Sequence, residues 1–447
     1  MFELLPFILP VNPTIFYSQN NIQNSEIITQ ENNILRQLPG ELNKIPVFNS
    51  NSPELVLGEG ILLSTFPKDN KTHPEAHLNF GFQGRFDIFA HHVAKRSTED
   101  DQRTLYLGII IHNPTSETVT IKTFEGASYL SQPDAPFITL PSKVEGSNTY
   151  AGPGSRVMGD ILQKKRQEIF PPEITLPAGE SKMLLNLPIP VQTLTPPING
   201  RSTYMRLYSS GLVYVASLAM YQDGENNPPS LEQWQEVLKN QPLSSPRDLA
   251  PTPPEAEGKR IYGRVAGVSQ GDLWKTDLTD SPSSPILSIP NSGEAFSYPL
   301  STLIGGTLGI NQIQTAPMLA RYPDTAYSAH GNYGVQYSLT LPLFNPHNQN
   351  KTVNIAISTP IKQDTLGVKF FNPLPTQTFF RGLVQVKYND ENNIPRLRYF
   401  HLVQKRGEKG ENLVTITMSP QSQNLVSVDF LYPPDATPPQ ILTVTTE

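Results

Sequence analysis

The sequence predicts an all-β protein made of two β-sandwich-like domains, and three observations carry that prediction. Proline is abundant, 44 of 447 residues, roughly twice the usual ~5%, which favours turns and sheet edges over long helices. Apolar residues fall in short runs that either alternate or are continuous, the patterns of half-buried and fully buried strands. Turn signals separate these runs at the spacing of a sandwich.

Residues 1–53 read as a leader followed by an extended, weakly ordered arm. "LLPFILPV" is apolar, but Glu3 stands where a signal peptide carries basic residues. Residues 54–221 form the first β domain. "TLYLGIIIHNP" (104–114) is apolar on both faces, as in a central strand, and "VTIKTF" (119–124) alternates. A short helix is expected within 155–167, where Val157, Ile161 and Leu162 share a face. A second lies at 230–241, opened by the capping-box pair Ser230 and Gln233. This helix and the Pro-rich stretch after it, 222–258 together, form the linker. Residues 259–447 are the second β domain.

The halves echo each other. "LGIIIHNPTSETVTIKTF" (107–124) resembles "LTLPLFNPHNQNKTVNIAI" (339–357), and "ITLPAGESKMLLNLPIPV…LTPP" (174–197) resembles "ITMSPQSQNLVSVDFLYPP…ATPP" (416–439). The order matches, which predicts a duplicated domain. The Asn113-Pro114 and Asn345-Pro346 turns are expected to close hairpins, with Val119, Ile121, Val353 and Ile355 facing equivalent cores. The region 204–221 has no counterpart after 439. A circular permutation that places "IYGRVAGV" (261–268) in that role is the alternative.

Composition narrows the function. The formal net charge is −6, charged residues are 17%, and no basic segment supports nucleic-acid binding. No apolar run is long enough for a membrane-spanning helix. The chain has no cysteine, which excludes disulfides and thiolate chemistry. No cofactor motif is present.

Two motifs raise enzymatic alternatives. Five of the eight histidines lie within 73–112 (His73, His77, His91, His92, His112), a potential metal set. In "GRFDIFAHH", however, strand alternation points His91 and His92 apart. "GVSQG" (267–271) matches the hydrolase pattern G-x-S-x-G, with Asp324 and His330 later in the chain as partners for Ser269. That chemistry needs Ser269 on a strand-to-helix turn, and "DLWKTDLTDSPSSP" is a poor helix. As ligand-binding residues the sequence offers Arg85, Asp87 and His91 on one strand face, and Tyr322, Asp324, Tyr327 and His330 in the turn-rich "RYPDTAYSAHGNYG" (321–334), a composition suited to carbohydrate or peptide binding.

The strings "VFNSNSPELV", "HLNFGFQGRFDIFAHH", "YAGPGSRVM", "YGRVAGVSQG", "ARYPDTAYSAHGNYGVQYSL" and "YPPDATPPQILTV" resemble a cyanobacterial family catalogued as domain of unknown function 3370, over about residues 36–445. The resemblance implies a cyanobacterial source and export behind a short apolar leader. It implies no activity and no site residues. The function expected is a non-catalytic periplasmic or cell-envelope protein that binds a partner protein or polysaccharide. The alternative is a hydrolase using Ser269 or a histidine-bound metal.

Overall fold

The computed structural model describes residues 26–447 except Glu31, Glu99 and Glu225. The leader lies outside the described residues. The fold is two β-sandwiches, as expected.

In the first, one layer runs in the order Glu173–Leu176, Val119–Leu130, Ile198–Asp223, Phe82–Lys95, Pro46–Ser50, Ala266–Gln270, Ala316–Arg321. The facing layer pairs Arg103–His112 with Ser181–Ile189 and again with Ile198–Asp223, which also takes Gly60–Ser64. The 26-residue strand Ile198–Asp223 therefore belongs to both layers. Its first part pairs with Phe82–Lys95 and Val119–Leu130, and its last part with Arg103–His112; the register breaks between Ser209 and Val213. Gly211 sits at this bend, where a Cβ would stand 2.7 Å from Val119 Cγ2.

The core between the layers holds Leu107, Ile109 and Ile111 against Phe86, Ile88, Val119 and Ile121. Tyr106 and Ile110, on the other face of the same strand, lie beneath the helix Leu231–Asn240 with Trp234 fully buried. This is why "TLYLGIIIHNP" is apolar on both faces. The capping box is present: Gln233 N donates to Ser230 Oγ and Ser230 N to Gln233 Oε1.

In the second sandwich one layer is Asn33–Leu35, Ala295–Leu300, Gln440–Thr446, Lys351–Ser358, Asn412–Met418. The other contains Leu273–Asp277, Gln336–Phe344, Gln423–Leu431, Thr378–Asn389, Pro395–Lys405 and Lys143–Glu145. Leu339, Leu341 and Leu343 meet Val353, Ile355 and Ile357 in its core. Val119/Ile121 and Val353/Ile355 are thus equivalent pairs, all buried.

The topology supports duplication. In the first sandwich Pro46–Ser50 runs parallel to Phe82–Lys95, followed by antiparallel steps to Ile198–Asp223, Val119–Leu130 and Glu173–Leu176. In the second, Asn33–Leu35 runs parallel to Ala295–Leu300, followed by antiparallel steps to Gln440–Thr446, Lys351–Ser358 and Asn412–Met418. Likewise Ser181–Ile189 pairs with Arg103–His112 as Gln423–Leu431 pairs with Gln336–Phe344.

The expected hairpins are corrected. Arg103–His112 and Val119–Leu130 do not pair; the Asn113-Pro114 turn carries the chain from one layer to the other, and Asn345-Pro346 does the same. A chain that changes layers leaves carbonyls without ladder partners, and the asparagine supplies them. Asn113 Nδ2 donates to Glu117 O, Leu176 O and Pro177 O. Asn345 Nδ2 donates to Gln349 O, Met418 O and Ser419 O. The permutation is corrected too. Gln440–Thr446 matches only the first part of Ile198–Asp223, and beside Gln336–Phe344 the remaining place is taken by the parallel strand Leu273–Asp277. Ala266–Gln270 pairs instead with Pro46–Ser50.

The sheets do not divide at the Pro-rich linker. Ala266–Gln270 and Ala316–Arg321 lie in the first sandwich, and Lys143–Glu145 pairs into the second. The described part of the arm contributes strands to three sheets. Between the sandwiches lies the helix Pro153–Leu162. Val157, Met158, Ile161 and Leu162 pack on Phe89, Ala127 and Tyr204 of the first sandwich and on Leu383 and Leu431 of the second. The helix is shorter than the sequence pattern because Lys164 takes φ 61°, a left-handed stop.

Candidate functional site: two clefts at the seam

The strand Phe82–Lys95 borders this seam, and alternation sorts its side chains. Phe86, Ile88, Ala90 and Ala94 enter the core of the first sandwich, whereas Phe89 enters the seam cluster. The two histidines divide in the same way. His92 is fully buried, with Nδ1 2.9 Å from Pro53 O and Nε2 2.9 Å from Ser50 Oγ. A carbonyl only accepts, so Nδ1 carries the proton. Burial pushes the His92 pKa down to about 4. His91 Nδ1 meets Ser202 Oγ at 2.8 Å, and Nε2 lies 3.6 Å from Glu54 Oε1.

The other histidines of the 73–112 cluster each have a separate partner: His73 with Glu75, His77 with Ser64, His112 with Ser181. Among the described residues no group of three or more His, Asp or Glu is placed to hold a metal ion. Ser269 lies within the strand Ala266–Gln270, opposite Met318 on one side and Val47 on the other, and the next element is a strand. Asp324 is held by Arg247 at 2.8 Å, and His330 packs on Tyr262. The three residues of the hydrolase alternative are not joined by hydrogen bonds.

Arg85 and Asp87 are brought together at the first cleft, of about 440 Å³. Asp87 is fully buried. Arg85 Nη2 reaches Asp87 Oδ1 at 3.2 Å and Asp272 Oδ2 at 3.4 Å. Arg206 Nε lies 3.6 Å from Asp87 Oδ2, and its Nη2 donates to Gln336 Oε1 at 3.0 Å. Asn43 Nδ2 donates to Asp272 Oδ1 at 2.6 Å. Burial, and then the neighbouring Asp272, push the Asp87 pKa up to about 8 against the pull of Arg206 and Arg85. Burial beside a second carboxyl thus favours the protonated form of Asp87.

The second cleft, of about 270 Å³, is lined by Asn49 and Asn51 from the first sandwich, by Tyr262 and Arg264, by the 329–333 turn, and by Ala436–Pro438 from the second. Asn49 and Asn51 are 3% and 4% exposed, and their side-chain oxygens have no donor among the described residues. Lys362 Nζ donates to Tyr262 Oη at 2.6 Å, and burial lowers the Lys362 pKa to about 8. His330 lines this cleft; burial, then Lys362, lower its pKa to about 4, so the ring is neutral at pH 7. Its Nδ1 is buried without a partner among the described residues.

The seven sequence candidates do not form one site. Arg85 and Asp87 belong to the first cleft and His330 to the second. Tyr322 is a core residue whose hydroxyl donates to Ala76 O and accepts from Ser64 N. Asp324 pairs with Arg247, Tyr327 is covered by Arg321 at 3.9 Å, and His91 joins a network of Glu54, Arg264 and Asp248. Sequence reasoning missed Asp272, Arg206, Tyr262, Asn49 and Asn51. The one local signal was polar Asn49-Ser50-Asn51 directly after apolar Val47-Phe48, a strand that buries amides.

The fold and these clefts define a double β-sandwich protein with polar seam clefts. The chain belongs to the family described as protein of unknown function (DUF3370), which matches residues 33–446. No curated protein matches the chain. Among solved structures it aligns with procruciferin, an 11S globulin from Brassica napus, at 12% identity, covering 92% of this chain and 88% of that one, with a TM-score of 0.10.

Proposed function

We propose that this is a non-catalytic binding protein of the cell envelope or periplasm that recognises a glycan at the second seam cleft. The observation that carries the proposal is the pair of buried amides, Asn49 and Asn51, lining a cleft beside Tyr262 and Tyr333 with their carbonyl oxygens unpartnered among the described residues. Buried acceptors without donors carry a cost, and a sugar supplies hydroxyl donors. The two tyrosines in the lining add apolar surface for the C–H side of a sugar ring. Ligand sites run from about 300 Å³ upward, so 270 Å³ suits one sugar unit of a longer chain. The non-catalytic reading is supported by Ser269 lying mid-strand. The envelope reading rests on the low charge and the apolar leader.

The test is affinity electrophoresis of the full chain through neutral polysaccharides, with wild type, Tyr262→Ala and Asn51→Ala compared. Retardation of wild type that each variant reduces supports the proposal. Equal mobility of all three on every polysaccharide refutes it. Release of reducing ends, lost in Ser269→Ala, would instead establish the hydrolase. Cell fractionation with N-terminal sequencing tests the compartment: an intact Met1 in a cytosolic fraction excludes export.

A further inference from the structure

We propose that the first seam cleft is an oxyanion site, which takes the carboxylate of an acidic sugar or a phosphate group between Arg85, Lys164, Arg206 and Lys275. The assignment stands apart from the glycan reading, because it uses a different cleft and different residues.

Four cations line this cleft, with Asn43, Gln336 and Ser338 as neutral hydrogen-bonding groups. The carboxylates nearby are fewer. Asp272 lines the cleft, and Glu125 sits beside Lys164 at 3.4 Å. Asp87 lies beneath, its pKa pushed up to about 8. Four cations therefore line a cleft whose lining includes one carboxylate, Asp272.

Arg206 provides the second observation. Its residue exposure is 5%, it lines the cleft, and its Nε is buried without a hydrogen-bond partner among the described residues. The nearest carboxyl oxygen, on Asp87, is 3.6 Å away, beyond hydrogen-bonding range. The buried Nε lacks an acceptor, and an oxyanion supplies one. Lys164 and Lys275 are exposed at the mouth, where they attract an anion without bearing on the core.

Isothermal titration calorimetry of the full chain uses inorganic phosphate and glucuronate as probes. Saturable binding of either, weakened by salt, is expected. The double variant Lys164→Ala/Lys275→Ala should bind roughly tenfold more weakly, since each exposed charge carries roughly a two- to fivefold effect. Its melting temperature without ligand should match wild type. Binding of phosphate alone identifies a phosphate site, and binding of glucuronate alone identifies an acidic-sugar site. Tyr262→Ala must leave the titration unchanged. The proposal fails if neither probe saturates at millimolar concentration, if the double variant binds as wild type does, or if Tyr262→Ala abolishes binding.

Discussion

The Tyr204 hydroxyl donates to Asp87 Oδ2 across 2.9 Å and lies 3.1 Å from Gly334 O. One phenol thus joins the long strand of the first sandwich to the buried carboxyl pair and to the turn that leads into the second. The turn is fitted to the ring: Gly334 has φ 86°, and a Cβ there would stand 2.2 Å from Tyr204 Cε2. Tyr204→Phe should cost about 1–2 kcal/mol, because it leaves a buried acceptor unpaired. Urea denaturation of the two proteins at one pH measures the difference.

Asp87 gives stability a pH dependence of definite sign. Its folded pKa of about 8 lies above the ordinary value of 3.8, so the native state holds more protons than the unfolded chain between these values. The contribution is present below about pH 4 and is lost as pH rises towards 8. The charged and titratable groups around Asp87 are Arg85, Arg206, Asp272 and Tyr204. Asp87→Asn keeps a neutral side chain at every pH. Its urea midpoint should therefore fall less than that of wild type between pH 6.5 and 8.5.

Buried histidines act in the opposite direction. His77, His92, His330 and His401 are each pushed down to about 4, first by burial. For His401 the second contribution is the Arg381 guanidinium. Their folded pKa values lie below the ordinary value of 6.5, so the unfolded chain binds more protons between 6.5 and 4. Stability is full above about pH 6.5 and is lost as pH falls towards 4. The wild-type urea midpoint should drop between pH 7 and pH 5, and the drop should be smaller in His92→Gln.

The two arch asparagines should be energetically equivalent. Each is fully buried and donates to three carbonyls. Asn113→Ala and Asn345→Ala should each cost about 2–3 kcal/mol, the penalty for stranding buried acceptors. The residues lie in separate cores, so the double variant should show the sum. Chemical denaturation of the three variants checks both magnitude and additivity.

Gly108 lies directly beneath the Trp234 ring of the helix Leu231–Asn240. A Cβ at this position would lie 2.7 Å from Trp234 Cε2. Gly108→Ala should destabilise the protein by about 1–3 kcal/mol through overpacking. Trp234→Leu in the same chain should recover part of the loss, which a double-mutant cycle measures.

Much of the fold was legible because it rests on local pattern. The two-faced apolar run 104–114, the Ser230–Gln233 cap and the paired Asn-Pro turns are each contained in a few consecutive residues. The layer to which each strand belongs was not legible. A turn of the length of Thr115–Thr118 serves a hairpin or an arch, and only the partners Ser181–Ile189 and Glu173–Leu176 decide between them. The clefts were less legible still. Arg85 and Asp87 drew notice as charges on a strand, but Asp272 and Arg206, which set their charge balance, come from distant segments. Asn51, Tyr262, His330 and Thr437 meet only because the sandwiches exchange strands.

That exchange imposes a waiting time on synthesis. Pro46–Ser50 leaves the ribosome early, yet one of its two neighbours is Ala266–Gln270. At roughly 5–20 residues per second, its free backbone edge stays open for on the order of ten seconds or more. Asn33–Leu35 waits still longer for Ala295–Leu300, and Lys143–Glu145 for Pro395–Lys405. A nascent chain stalled before residue 266 presents Val47 and Phe48 on an unpaired edge, the geometry that recruits other strands. The joining of the two sandwiches thus makes the unfinished polypeptide, more than the finished one, the form most exposed to aggregation.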